Sequence, residues 1–543
     1  MSSTIQPSNR DANIAMSDLK RHNLEIQRAV TQSTFSPDEN EKNNSVEAGE
    51  LTFAEDTAGG LGRHLGVFST TFLIIGRIIG SGIFSTPSSI TKSTGSVGAA
   101  MFMWVIGFII SMAGLFVWLE FGCMIPRSGG EKVYLEASYR RPRHMTSILF
   151  AIQSVLLGFS ATGCITFASN IVLAADTKVS EHTSRGIAGA AMVFVAFMHG
   201  LTPKLGVKVM NVVGVLKIGI VVFIVVTGWV VLGGGTRIKD PHASFRNAFE
   251  GSVRHSNPYA TALYKVLSSF AGWSNAAYIL NEVKNPVRTL KIAGPLAVTT
   301  CGLLYIFANI SYYSAATPAE VSASGVTVAS FFMMKVFGKT ASRVLSVFVG
   351  ISALGNVMTV TYAHARVNQE IAKEGVLPFS SFWASTWPMG APTGGLFLHF
   401  VPSIIMITAI PFGDAYNFII DVEGYPRAIV FFSVVVGLFL LRWKKPFAER
   451  PFRVFLPIAG FFLVGQSFLL VAPFLRPPGG KGDTSQPYWA YPLVGIGVMI
   501  LGLVYYVILV HILPKMGNYS LKREKIVLAD GTHVMKFVKS KEE

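Results

Sequence analysis

The residues Ile78-Ile79-Gly80-Ser81-Gly82-Ile83-Phe84 carry the first chemical signal in this chain. They lie in a hydrophobic run from Leu65 to about Ile90, long enough to cross a bilayer. Gly80, Ser81 and Gly82 interrupt that run near its centre, and Pro87 follows. A bilayer offers no water to backbone N–H and C=O groups, so a broken helix persists there only beside protein or a filled cavity. The half-helix that starts after Gly82 presents free N–H groups and a positive dipole end, which suits a carboxylate. Gly80 and Gly82 have no side chain to hold a ligand off the backbone. A second interruption lies at Ser268-Ser269-Phe270-Ala271-Gly272-Trp273-Ser274-Asn275. The half-helix that ends near Phe270 and Ala271 presents free C=O groups, which suit an ammonium. Together the two ends describe a site for a zwitterionic amino acid. The plainer alternative for Gly80-Ser81-Gly82 is a small-residue packing patch, common in membrane helices.

The elements that must hold these breaks follow from composition. Of 543 residues 51% are hydrophobic and 14% charged, and mean hydropathy is +0.48. Soluble domains carry about 25% charged residues, so the chain reads as an all-α polytopic membrane protein. Runs of roughly 20 apolar residues suit a membrane span. They occur near 65–90, 97–124, 145–174, 186–202, 207–233, 260–283, 291–316, 342–364, 392–410, 417–441, 454–474 and 488–513. Twelve spans result, with 186–202 short and 417–441 carrying Asp421, Glu423 and Arg427. The two interrupted runs are the first and the sixth. Breaks at matching places in two five-span halves are the signature of an inverted-repeat transporter, here about 65–233 and 260–441, with 454–513 peripheral.

Residues 1–64 hold six basic and ten acidic side chains and 515–543 hold seven and four, which leaves +17 of the overall +16 on the body between. That charge suits loops facing anionic lipid better than a nucleic-acid surface. The connectors after spans 2 and 10 are basic, through Arg127, Lys132, Arg140, Arg141 and Arg143, and Arg442, Lys444, Lys445, Arg450 and Arg453. Basic loops stay inside, which puts both termini in the cytoplasm; the basic residues of 234–258 are a mild counter-signal. Residues 1–64 lack a signal-peptide pattern and read as a polar, disordered tail, and 515–543 as a basic tail.

Two cations stand inside spans. Lys217 is central in span 5, where an ammonium must face a partner or a cavity unless it snorkels to an interface. Buried lysines lose their proton readily, which would allow proton coupling. Arg77 lies three residues before Gly80, near the same region, and is the second ion-coupling candidate. Glu120, Asp421 and Glu423 are candidate carboxylate partners; Asp421 and Glu423 are either proton carriers or outer-mouth residues. His364 is expected to cap a network. Cys123, Cys164 and Cys301 all fall in or beside apolar runs and suggest no disulfide framework. There is no P-loop and no metal-spaced His/Asp set, so neither an enzyme nor a cofactor is expected.

These motifs resemble the amino acid–polyamine–organocation transporters. The resemblance rests on Gly80-Ser81-Gly82-Ile83-Phe84, on Glu120 through Glu131 with Val133-Tyr134-Leu135, and on Phe270-Ala271-Gly272-Trp273. It continues through Asn281-Glu282 to Pro286, Arg366, Lys373 to Pro378, and Arg450-Pro451-Phe452-Arg453. It covers roughly 60–515 and looks most like the L-type amino acid transporters, especially fungal methionine-permease-like members. It implies the leucine-transporter fold. It also implies that amides at Ser81, Gly82 and Ile83 take the substrate carboxylate, and that carbonyls near Ile79, Phe270 and Ala271 take its amino group. Trp273 and Phe270 would line or gate the side-chain pocket, with Phe270 closing it. Ser268 and Ser274 depart from the Phe and Asn many L-type members carry there. Lys217 matches the span-5 lysine of sodium-independent members, and the loop near 175–185 lacks the cysteine that joins animal light chains to a heavy chain. The expectation is a sodium-independent plasma-membrane permease for neutral amino acids, methionine among them, coupled to protons. An obligate exchanger and an amino acid sensor are the rival readings.

Overall fold

A computed structural model describes residues 65–540 apart from 178, 279, 281–282, 388–389, 411, 478–479 and 481–484. The expected N-terminal tail and Asn281-Glu282 lie outside the described residues.

The first expected span is two helices, α1 (Val67–Ile78) and α2 (Gly82–Thr94), bent by 42° at the break. Helix α3 (Val97–Met124) starts on Ser96, whose side chain accepts from the Ala99 amide, the expected N-cap chemistry. A short α4 (Glu131–Ser138) lies in the connector. The third span is also divided, into α5 (Met145–Leu157) and α6 (Ala161–Ala175). Then follow α7 (Glu181–Leu201), α8 (Pro203–Leu232) and α9 (Ser256–Ser269), the last continued by a tight 3-10 stretch at Trp273–Tyr278. Next come α10 (Pro286–Ala315), α11 (Pro318–Ala323), α12 (Val328–Phe337), α13 (Lys339–Lys373), α14 (Ser380–Ala384) and α15 (Thr393–Ala409). The chain ends with α16 (Phe412–Lys444), α17 (Leu456–Val471), α18 (Ala490–Val507) and α19 (Leu513–Gly517), then two strands.

Among the described residues, nine helices are long and apolar enough to cross a bilayer, ten when α1 and α2 count as one span. The other two expected spans fall on α9 with its 3-10 turn and on α15. Helix α9 alone has 14 residues and α15 has 17, below the roughly 20 of a full crossing. Helix α7 begins earlier than hydropathy suggests, because Ser180 caps it through the Thr183 amide.

Two groups of helices organise the body. In one, α1 and α2 with α3, α9 and α10 pack on one another; in the other, α5 and α6 with α7, α13 and α15 do so. Helix α8 touches both groups through α10 and α13. Close approach relies on small residues: a side chain at Gly114 would meet Trp273 at 2.9 Å.

A buried ion cluster joins α3, α16 and the segment before α17. Glu120 is fully buried; Arg442 Nε donates to it at 2.9 Å and the Val454 amide at 2.8 Å, with Arg450 Nε at 3.3 Å. Glu120 is therefore taken, and it is not the partner of Arg77 or Lys217 that the sequence left open.

The chain is not all helical, which corrects the all-α expectation. Ser520–Val527 (β1) and His533–Ser540 (β2) pair antiparallel as a hairpin. Gly531, at φ +80, makes the turn. Val534 and Met535 are buried. At the turn, Asp530 accepts from the Thr386 amide at 2.6 Å and from the Ser385 and Thr386 hydroxyls, both at 3.0 Å. Partial burial raises the Asp530 carboxyl, but the hydrogen bonds from Thr386, Thr532 and Ser385 prevail and hold it well below the usual carboxylate range. Arg523 donates to His144 Nδ1 at 2.7 Å. Burial and that guanidinium push His144 down to about 4, so it stays neutral and can accept.

Two outcomes are expected. Glu120→Ala leaves two arginines without their buried carboxylate and should cost about 3–5 kcal/mol, seen as a lower melting temperature of the purified protein. Asp530→Asn should speed amide exchange across Val534 and Met535. Because the Asp530 carboxyl is depressed, its docking contribution is complete above the ordinary carboxylate pKa and is lost only as pH falls through its lowered value. Exchange in the wild type should therefore be insensitive to pH-driven undocking near neutrality, once intrinsic exchange rates are corrected for.

Candidate functional site

Both interrupted spans meet at one hydroxyl. Tyr305 on α10 lies 2.7 Å from the Ile78 carbonyl at the end of α1 and 3.1 Å from the Ser269 carbonyl at the end of α9. A phenol has one proton to donate, so the two carbonyls share it. The last carbonyls of a helix lack intrahelical donors, and here the neighbouring helices supply them. Lys217 Nζ on α8 donates to the Gly76 carbonyl of α1 at 3.1 Å. Thr86 and Ser269 hydroxyls join α2 to α9 at 2.9 Å. Among the described residues, the amides of Ser81, Gly82 and Ile83 have no backbone partner, and the carbonyls of Ile79, Phe270 and Ala271 receive no hydrogen bond.

A cavity of about 60 Å³ lies at this junction. Gly80, Ser81 and Gly82 line it from the first break, and Ser268, Ser269 and Ala271 from the second. The glycines also serve packing. A side chain on Gly82 would meet Ser269 Cα at 2.8 Å, and one on Gly80 would collide with the Asn356 side chain. The packing alternative and the cavity therefore coexist at the same residues. A second cavity, of about 120 Å³ and more apolar, shares Arg77, Ser268, Ala271, Glu423 and Arg427 with the first. Gly272 and Trp273 line the larger one and not the smaller.

Phe270 is the clear correction. Its ring is fully buried against Tyr305, Trp104 and Phe108, with centroids 5.0, 6.1 and 6.2 Å away. It lines neither cavity. The side chain at 270 points into the α3–α10 packing, so it does not close the site, although its carbonyl stands at the break. The aromatic side chains lining the smaller cavity are Phe159 and Tyr416. Trp273 packs edge-on against Trp118 at 5.1 Å.

The charged residues separate by location. Lys217 is 1% exposed, which removes the snorkelling alternative. Arg77 Nη1 reaches Asn356 Oδ1 only at 3.4 Å, and its Nε has no partner. Glu423 and Arg427 face Arg77, and they are ion-paired with each other. Asp421 is 2% exposed and faces the fully buried Lys265, so it does not sit at an outer mouth. His364 lines the larger cavity, stacks on His399 with centroids 5.3 Å apart, and leaves Nδ1 without a partner. It does not cap a network as expected. All three cysteines are buried.

Sequence reasoning missed Asn356, Phe159, Ser160 and Tyr416. An amide inside the apolar run of α13 was a signal for Asn356, since polar groups in membrane spans need a purpose. Gly158-Phe159-Ser160, where the third span breaks, offered only a single glycine. There Ser160 Oγ is 2.9 Å from His399 Nε2, and His399 Nδ1 is 2.6 Å from the Gly158 carbonyl. That carbonyl can only accept, so Nδ1 carries the proton.

Residues 65–501 match the model of the family described as amino acid permease. Over 521 residues the chain is 40% identical to the high-affinity methionine permease of Saccharomyces cerevisiae, covering 94% of this chain and 90% of the relative. It is 33% identical over 485 residues to that yeast's low-affinity methionine permease, with 88% of each covered. To the b(0,+)-type amino acid transporter 1 of Mus musculus it is 30% identical over 465 residues, covering 83% and 88%. These relatives are permeases and transporters, not enzymes. With its helical body matched by that model and nine or more apolar helices of membrane-crossing length among the described residues, the chain belongs to the amino acid permease family of multi-pass membrane proteins.

Proposed function

We propose that this permease imports neutral amino acids, methionine or similar, by alternating access, without sodium and with protons. The observation that carries the reading is that Ser81 and Gly82, whose amides have no backbone partner among the described residues, and Ala271, whose carbonyl receives no hydrogen bond, line one cavity, while the Ile83 amide and the Ile79 and Phe270 carbonyls stand at the same two breaks without lining it. Such a pair of helix ends matches the carboxylate and the ammonium of one zwitterion. The methionine permeases among the relatives support the side-chain assignment. The side chain would lie against Phe159, Val360 and Ile420 in the same cavity.

Lys217 supports the coupling assignment. Its ammonium holds the Gly76 carbonyl at the end of α1, where a cation complements the helix dipole. A fixed ammonium there replaces a coupling metal ion, and its loss of a proton would release α1. The two helix groups support twelve spans in a five-plus-five inverted repeat, with α1 and α9 moving against the group built on α13. Both termini would be cytoplasmic and the host membrane the plasma membrane. The loop near 175–185 has no cysteine for a disulfide-linked heavy chain.

Expression in cells deficient in methionine uptake should restore uptake of radiolabelled methionine, and an inward proton gradient should accelerate it. Unchanged methionine and leucine uptake would defeat the substrate assignment. Uptake that requires internal amino acid in a counterflow assay would favour exchange. Ser268→Trp fills the smaller cavity and should abolish uptake at unchanged surface expression. Lys217→Gln keeps a donor for Gly76 but cannot titrate. It should retain methionine binding and lose the dependence of uptake on the proton gradient.

A further inference from the structure

Among the described residues, the larger cavity is lined by charged groups with hydrogen-bonding atoms left unpartnered. Arg77 enters it with Nε unpartnered and one long bond to Asn356. The carboxylate Arg77 faces, Glu423, is already held by Arg427. On the same cavity, Glu131 is 2% exposed. Trp118 Nε1 donates to its Oε1 at 3.1 Å and the Tyr278 and Ser274 hydroxyls stand beside the carboxylate, while among the described residues Oε2 has no hydrogen bond within ordinary distance. A buried polar group left unpaired is unfavourable by about 1–3 kcal/mol, more when it is charged. A guanidinium and a carboxylate oxygen, both unsatisfied, therefore line one space whose remaining wall is largely apolar, through Phe150, Leu157, Phe431 and Phe462.

The position of this space gives it a direction. Glu131 follows span 2, Tyr278 follows the second break, and His364 and Val367 lie toward the end of α13. All belong to the half of the body that the basic connectors place toward the cytoplasm. The two cavities share Arg77, Glu423 and Arg427, so any solute passing between them meets these three charges. Arg77 precedes Gly80 by three residues, so a carboxylate that leaves the amides of α2 finds the guanidinium as its next partner.

We propose that the larger cavity is a second amino acid station on the release path. Arg77 anchors the substrate carboxylate there. Oε2 of Glu131 receives the ammonium, and the aromatic wall takes the side chain. This rests on the transport reading above. Arg77 thereby becomes a substrate-binding residue instead of the ion-coupling residue its neighbourhood to Lys217 suggested. Arginine suits the task because its planar fork takes a carboxylate through two hydrogen bonds.

Equilibrium binding of radiolabelled methionine to the purified full chain in lipid nanodiscs tests this. The wild type should saturate at about two methionines per chain, and Arg77→Gln should weaken one of them by about tenfold or more. Arg77→Lys, which keeps the charge and loses the fork, should fall between the two. A wild-type ratio of one, or an Arg77→Gln protein that still binds both with unchanged affinity, overturns the second station while leaving the permease reading intact. A wild type that binds no neutral amino acid defeats that reading itself. Should the arginine variants not purify as single species, the wild-type ratio alone decides.

Discussion

The structure depends on one constraint: backbone groups freed by a broken helix must find partners where there is no water. A continuous helix satisfies itself within the bilayer, and a broken one cannot. Here the freed carbonyls of α1 and α9 are met from outside their own helices. Tyr305 serves one at each break, and Lys217 serves a third. Placing one hydroxyl between the two ends fixes their relative position. Of the groups left over, the Ser81 and Gly82 amides and the Ala271 carbonyl belong to residues that line a small cavity. Helices that were wholly self-satisfied would leave nothing for a zwitterion to bind.

Charge is divided on the same principle. Glu120 with Arg442 and Arg450 is a closed cluster: its carboxylate accepts from Arg442 and from the Val454 amide, and it lines neither cavity. Such a cluster fixes the ends of three elements relative to one another. Arg77 and Glu131 are open by contrast, each with one atom unpartnered and each on a cavity wall. Neither burial nor an unpartnered nitrogen distinguishes them, since Arg450 Nε also lacks a hydrogen bond; their place on a cavity wall does. Lys265 and Asp421 are a further buried pair of opposite charges between α9 and α16, and neither lines either cavity.

The two breaks at Gly80–Gly82 and Phe270–Gly272 were legible because their causes are local. Glycine and serine inside an apolar run weaken a helix wherever the run is placed. Which way each side chain points from an irregular segment is not local. Phe270 illustrates this: a helical count carried through the break cannot tell that its ring turns into the packing of α3 and α10. The break at Gly158–Ser160 escaped notice because its stabilising partners, Ser403 and His399, lie some 240 positions away, the separation of Ser160 and Ser403 being 243. The terminal hairpin escaped for a related reason. Its strands are basic and short, and their burial depends on a surface formed at the end of α13 and at Ser385 and Thr386.

By itself the sequence determined that the chain is a helical membrane protein, where most of its long apolar helices fall and where two of its apolar runs break. Those properties follow from apolar run length and backbone propensity, which act over a single helix. Its motifs also carried the family. Only the tertiary structure decided which charges are paired, which aromatic rings face a cavity, and that Arg77 stands between two cavities with an unpartnered nitrogen. Each of those depends on contacts between segments far apart in the chain, and no local pattern records them.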